Sequence, residues 1–221
     1  MRLRLLLLPV LVLVLSACRA AAWRDYHFTE PVEYYFYYPD SAGVTGPAPL
    51  FIGLLGEQRS PLDCIELFNQ FAEDRGYGLL CPDLGGQGGL ADSLQAGQDL
   101  SAILTQLYNS HTFQDRFFLA GFADGGTFAL EYALTYPGAV IGVSAMSPEG
   151  FPEVLVSPGP LPVQFVIGEG DEEGLAAAQA AAETWQAWGI LVRLVPVEGN
   201  GRSPSQTFAR LASQLADEVS R

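Results

Sequence analysis

Gly121-Phe122-Ala123-Asp124-Gly125-Gly126 separates a strand-like run, Phe117 to Phe122, from a helix-like run that continues to Tyr136 and stops at Pro137-Gly138. A chain that passes from strand to helix in so few residues presses its backbone against its neighbours. Glycines two positions either side of the central residue relieve that crowding, and the central residue takes the strain. Gly121 and Gly125 hold those positions, Gly126 follows, and the residue between them, Ala123, offers only a methyl group.

Working outward, strands and helices alternate. Val32 to Tyr38 is rich in strand formers and ends at Pro39-Asp40; Tyr35 and Tyr37 share one face, which we read as cover for a sheet rather than a sugar-stacking stripe. Leu50 to Leu55 is continuously apolar and suits a central strand covered on both faces. Ser60-Pro61-Leu62-Asp63 opens a helix with a hydroxyl cap, a proline and an acid, and Gly76 and Gly78 bracket its end before a short strand, Leu79 to Cys81. Asp92 to Tyr108 repeats apolar residues at helical spacing. Beyond the central turn, Ala139 to Met146, Val163 to Ile167 and Leu191 to Val197 read as strands, with helices from Glu172 to Trp188 and from Ser205 to Val219. Parallel neighbours need crossover connections, so this order predicts an α/β fold, a mainly parallel sheet with helices on both faces.

The ends and the composition bound the function. Arg2 and Arg4 precede an apolar core from Leu5 to Leu15 that is too short to span a bilayer, and Leu15-Ser16-Ala17-Cys18 resembles the lipobox of bacterial lipoproteins. We expect a signal peptide at 1–17, acylation of Cys18, a tether over 18–31 and one domain over 32–221, held in the cell envelope by its lipid; an ordinary secretory signal cut near Ala17 or Ala22 is the alternative. Cys64 and Cys81 then remain, either bridged in an oxidising compartment or packed as buried thiols. All eleven basic residues are arginines, which excludes a Walker P-loop and a Schiff-base lysine, and the formal charge of −14 opposes a nucleic-acid partner. Asp83 to Gly89 carries no phosphate-binding fingerprint, the cysteines lack zinc spacing, and the acidic run from Asp171 lacks EF-hand spacing; no cofactor or metal is expected.

With these landmarks assembled, the chain from Val32 onward resembles the α/β-hydrolase superfamily, in particular its small secreted esterase and polyester-depolymerase-like branches. The resemblance implies an oxyanion hole near Gly56 and the amide of Asp124, a nucleophile elbow at Gly121 to Gly126, an orienting acid at Asp171 and a general-base histidine at the position of Arg202. Three departures stand out. Leu55 replaces the histidine that often precedes Gly56, Ala123 has no attacking oxygen, and Arg202 has no lone pair with which to accept a proton. The only histidines, His27 and His111, both precede the elbow, whereas the triad of this fold runs nucleophile, acid, histidine. The expectation is a catalytically silent, lipid-anchored binding or scaffold protein with an unidentified small-molecule or protein ligand, in which Asp171 and Arg202 pair as ions. The alternatives are a hydrolase using Asp124 as nucleophile, or one using Asp83, Glu149 or Asp171 as acid or base.

Overall fold

A computed structural model describes residues 26–40, 46–56, 59–85, 93–199, 201 and 203–220. Eight strands form one sheet: β1 (Tyr26–Phe28), β2 (Tyr34–Tyr37), β3 (Ala48–Leu55), β4 (Gly78–Pro82), β5 (Phe113–Phe122), β6 (Val140–Met146), β7 (Pro162–Gly168) and β8 (Leu191–Val197). Their spatial order is β1-β2-β4-β3-β5-β6-β7-β8. Only β2 runs against the rest, pairing antiparallel with both β1 and β4. All other pairings are parallel, so seven strands, β1 and β3 to β8, share one direction and point their carboxyl ends to one side of the sheet.

The period-two alternation of each strand feeds two cores. Leu50, Ile52 and Leu54 of β3, with Phe117 and Leu119 of β5, join α2 (Ser93–Ser110), α3 (Asp124–Thr135) and α4 (Glu172–Ala187) on one face. Phe51, Phe118, Ala120 and Phe122 join α1 (Pro61–Arg75) and α5 (Gln206–Val219) on the other. Helices therefore cover both faces. Ser60 caps α1 in a reciprocal box with Asp63, and Gly76 closes it in the left-handed region at φ 70°.

Cys64 of α1 and Cys81 of β4 form a disulfide with Cα atoms 5.9 Å apart, closing a sequence separation of 17. A loop of that length stabilises a fold by about 3 kcal/mol, chiefly by constraining the unfolded chain. Gly53 of β3 lies directly beneath it, and a Cβ at that position would overlap Cys64 Sγ.

One boundary needs correction. Residues 26–28 fall within the segment 18–31 expected to be a tether, yet they pair with β2 from Tyr26 opposite Phe36 to Phe28 opposite Tyr34. The domain thus includes Tyr26. The strand expected from Val32 to Tyr38 is also shorter, at Tyr34–Tyr37. Tyr37 is buried, and Tyr35 is stacked on His27 with ring centroids 4.4 Å apart. Cys18 and Arg202 lie outside the described residues.

Candidate functional site

Strand β5 ends at Phe122 and α3 begins at Asp124, so Ala123 alone makes the turn. Its backbone sits at φ 53° and ψ −125°, a conformation that L residues hold only when their surroundings enforce it. The enforcement is visible in hydrogen bonds: the Ala123 amide donates to the Met146 carbonyl at 3.0 Å, and the Ala123 carbonyl accepts from Gly126 at 2.9 Å and Thr127 at 3.1 Å. It is equally visible in packing. A Cβ on Gly121 would overlap the Gly125 carbonyl, and one on Gly125 would overlap the Leu54 carbonyl. Helix α3 therefore starts against the ends of β3 and β5 at a distance only glycine permits.

The Ala123 methyl faces a cavity of about 410 Å³ at the carboxyl edge of the sheet, lined also by Phe122, Ser147, Glu149, Gly170, Asp171 and Gly201. An eight-stranded sheet in this order, with one antiparallel strand near its edge and a strained strand-to-helix turn after its fifth strand, settles the architecture. The fold is that of the α/β hydrolases. No protein-family model and no curated protein matches the chain. Among solved structures, a dienelactone hydrolase from Anabaena variabilis superposes with a TM-score of 0.65 at 17% identity, covering 90% of this chain and 97% of that one. A carboxylesterase from Mesorhizobium loti gives 0.67 at 14% identity, covering 87% and 98%. A predicted CIB-like hydrolase from Thermoplasma acidophilum gives 0.65 at 20%, covering 88% and 97%.

Within this α/β-hydrolase fold, the cavity brings together two of the expected site positions, Ala123 and Asp171. Asp171 is already engaged: its Oδ1 accepts the Gly174 amide at 2.9 Å as the N-cap of α4. Because Arg202 is outside the described residues, so is its expected ion pair with Asp171. The loops that carry these positions are tied to each other, Glu169 donating to the Val197 carbonyl at 2.7 Å and Gly170 to the Gly199 carbonyl at 2.8 Å.

Two expected positions behave differently. The Gly56 amide donates to the Phe122 carbonyl at 3.2 Å, so this N–H closes the turn and is not aimed at an oxyanion. The Asp124 carboxylate folds back to accept the Gly125 amide at 2.9 Å and lines a separate cavity of about 310 Å³ with Thr127, Phe128, Glu131 and Glu149. It is not among the residues that line the cavity holding Ala123, although Glu149 lines both. Asp83 follows β4 and also lies outside that cavity, its amide donating to the Glu33 carbonyl at 2.7 Å.

Neither histidine reaches the site. His27 stacks on Tyr35 at the sheet edge and bonds Glu33 through Nε2 at 2.9 Å. His111 precedes β5, at the end opposite the elbow and about 30 Å away by strand rise. Its ring packs against Phe36, Tyr38 and Phe113, and burial lowers its pKa from the ordinary histidine value. Among the described residues, no three potential metal ligands cluster.

No motif or spacing singles out Ser147. It follows β6 at φ 42°, lines the cavity, and keeps a buried Oγ without a hydrogen-bond partner among the described residues. A Cβ on Gly201 would overlap that oxygen, so the loop after β8 lies directly against it. Only its place just past an apolar strand, the same place Ala123 and Asp171 occupy on theirs, could have marked it.

Proposed function

We propose that this chain is a lipid-anchored, extracytoplasmic member of the α/β-hydrolase fold that does not perform acyl transfer and retains the cavity at the carboxyl edge for non-covalent binding of a small molecule or peptide. One observation carries the reading: the elbow keeps its strained backbone and close-packed glycines while presenting a methyl group where a nucleophile would stand. Covalent catalysis needs an attacking atom and a group to take its proton. Ala123 supplies no such atom, Asp171 caps a helix, and both histidines lie elsewhere.

A carboxylate-based hydrolase is the second reading, because Glu149 and Asp171 line the same cavity. Incubating the purified mature protein with a fluorophosphonate probe and a panel of esters and lactones separates the two. We expect no adduct and no turnover above buffer. An adduct at a cavity residue overturns the inert reading, and turnover lost in Glu149→Gln or Asp171→Asn establishes the carboxylate one. The anchor rests on Leu15-Ser16-Ala17-Cys18, and incorporation of a labelled fatty acid that disappears in Cys18→Ala is its test.

A further inference from the structure

The cavity beside Ala123 does not stand alone. Glu149 lines both it and the cavity of about 310 Å³ at the start of α3. That second cavity shares Ser93, Phe128 and Glu131 with a third, of about 430 Å³, which reaches Tyr132 and Tyr136. Between Asp124 and Glu131 the helix advances about 10 Å, so the openings follow α3 away from the elbow as one groove.

The walls of this groove are rich in acceptors. Asp171 and Glu149 line the first cavity, and Asp124, Glu131 and Glu149 the second, while among the described residues no arginine lines any of the three. Glu131 and Glu149 form no ion pair among the described residues, where the pairs are His27 with Glu33, Arg75 with Asp217 and Arg193 with Glu218. Asp171 gives Oδ1 to the Gly174 amide and, as a carboxylate, has lone pairs left over. The independent sign of a ligand is Ser147, whose buried Oγ lacks a partner at the first cavity. An orphaned buried hydroxyl is destabilising, and a ligand that donates to it removes the penalty.

We propose that this groove binds a linear aliphatic polyamine, with one terminal ammonium among Ser147, Glu149 and Asp171, the alkyl chain running past Phe128, and a second ammonium at Glu131. This rests on the reading above that the cavity binds without covalent chemistry. An ammonium has three N–H donors and no acceptor, which matches the hydroxyl and two carboxylates of the first cavity. Its methylene chain suits the Ala123 methyl and the Phe128 ring. A cleft lined by one sign of charge, in a chain of formal charge −14, also draws cations toward it. A bare divalent ion fits less well, since among the described residues no three of its usual ligands gather. A peptide fits less well because its carbonyls need donors, and the Thr127 hydroxyl of the second cavity is already bonded to both backbone groups of Gly150.

The test is calorimetric titration of the mature chain with spermidine at physiological ionic strength. We expect one saturable site, with butylamine binding more weakly and hexanoate not at all. Glu149→Gln should weaken spermidine about three- to tenfold and Ser147→Ala about threefold, the usual effect of one hydrogen bond. Glu183→Gln, an equal loss of charge at an exposed position of α4, should change it less than about twofold. Arg202→Gln removes the cation next to Gly201 in sequence and should leave binding unchanged or tighter. Absence of binding, equal weakening by Glu183→Gln and Glu149→Gln, loss of affinity in Arg202→Gln, or tighter binding of hexanoate or of trilysine than of spermidine overturns the proposal. Catalysis is read separately: a fluorophosphonate adduct overturns the inert reading and leaves the titration to stand by itself, whereas an inert chain without affinity for spermidine fails here alone.

Discussion

Oδ1 of Asp124 fills the space in which a side chain on Gly56 would begin. The first turn of α3 and the end of β3 are interlocked there, with the Gly56 amide bonded to the Phe122 carbonyl beneath. Gly56→Ala should lower stability by about 1–3 kcal/mol, the usual effect of forcing atoms into a packed site. Asp124→Ala in the same chain should restore part of the loss, since it removes the two nearest atoms and leaves the Phe122 carbonyl as the next. Urea midpoints of the two single variants and the double check this, and simple additivity of the losses rules out the interlock.

The strain at Ala123 predicts a gain. Holding an L residue in such a conformation costs about 1–3 kcal/mol, and glycine is free of it apart from up to about 1 kcal/mol of added unfolded-state entropy. Ala123→Gly should therefore raise the thermal midpoint, by about 1 kcal/mol in stability. A lower midpoint contradicts the strained geometry.

Asp171 separates structure from chemistry. As an N-cap of α4 it should lose about 1 kcal/mol on replacement by alanine, and little on replacement by asparagine, which caps equally well. Equal destabilisation by Asp171→Ala and Asp171→Asn means that the charge, not the cap to Gly174, is what the fold uses.

His111 sets a pH dependence. Burial among Phe36, Tyr38 and Phe113 lowers its folded pKa below the ordinary value of about 6.5, so the unfolded chain binds the proton more readily. The stabilisation that comes from keeping the ring neutral is present above that ordinary value. It is lost as pH falls through it toward the folded value. Relative to His111→Phe, the wild-type chain should lose more stability between pH 8 and pH 5, measured as the difference in denaturation midpoint. Parallel pH profiles of the two proteins refute this assignment.

Much of the fold was legible because its signals are local. Leu50 to Leu55 is apolar on both faces and forms a central strand with both faces covered, and Ser60, Asp63 and Gly76 mark the ends of α1 by chemistry that needs no tertiary context. The strand β1 was not legible, since three residues gain a strand's identity only from pairing with β2. At the site, the glycines declare the turn, and Asp171-Glu172-Glu173 already reads as a helix start. What the sequence withholds is direction: that the Gly56 amide points at Phe122, that Asp124 turns into the neighbouring cavity, and that the loop after β6 brings Ser147 beside Ala123. Each depends on how separate segments are brought together, which no spacing of residues records.

The sulfur of Cys64 lies over Gly53 with no room for a methyl between them. Positions 53, 64 and 81 are consequently expected to change together. In divergent descendants that keep both cysteines, residue 53 should stay invariant, whereas lineages that have lost the pair should be released to place alanine or serine there. A set of such sequences would carry this signature as three-way covariation between a β3 position, an α1 position and a β4 position that never adjoin along the chain.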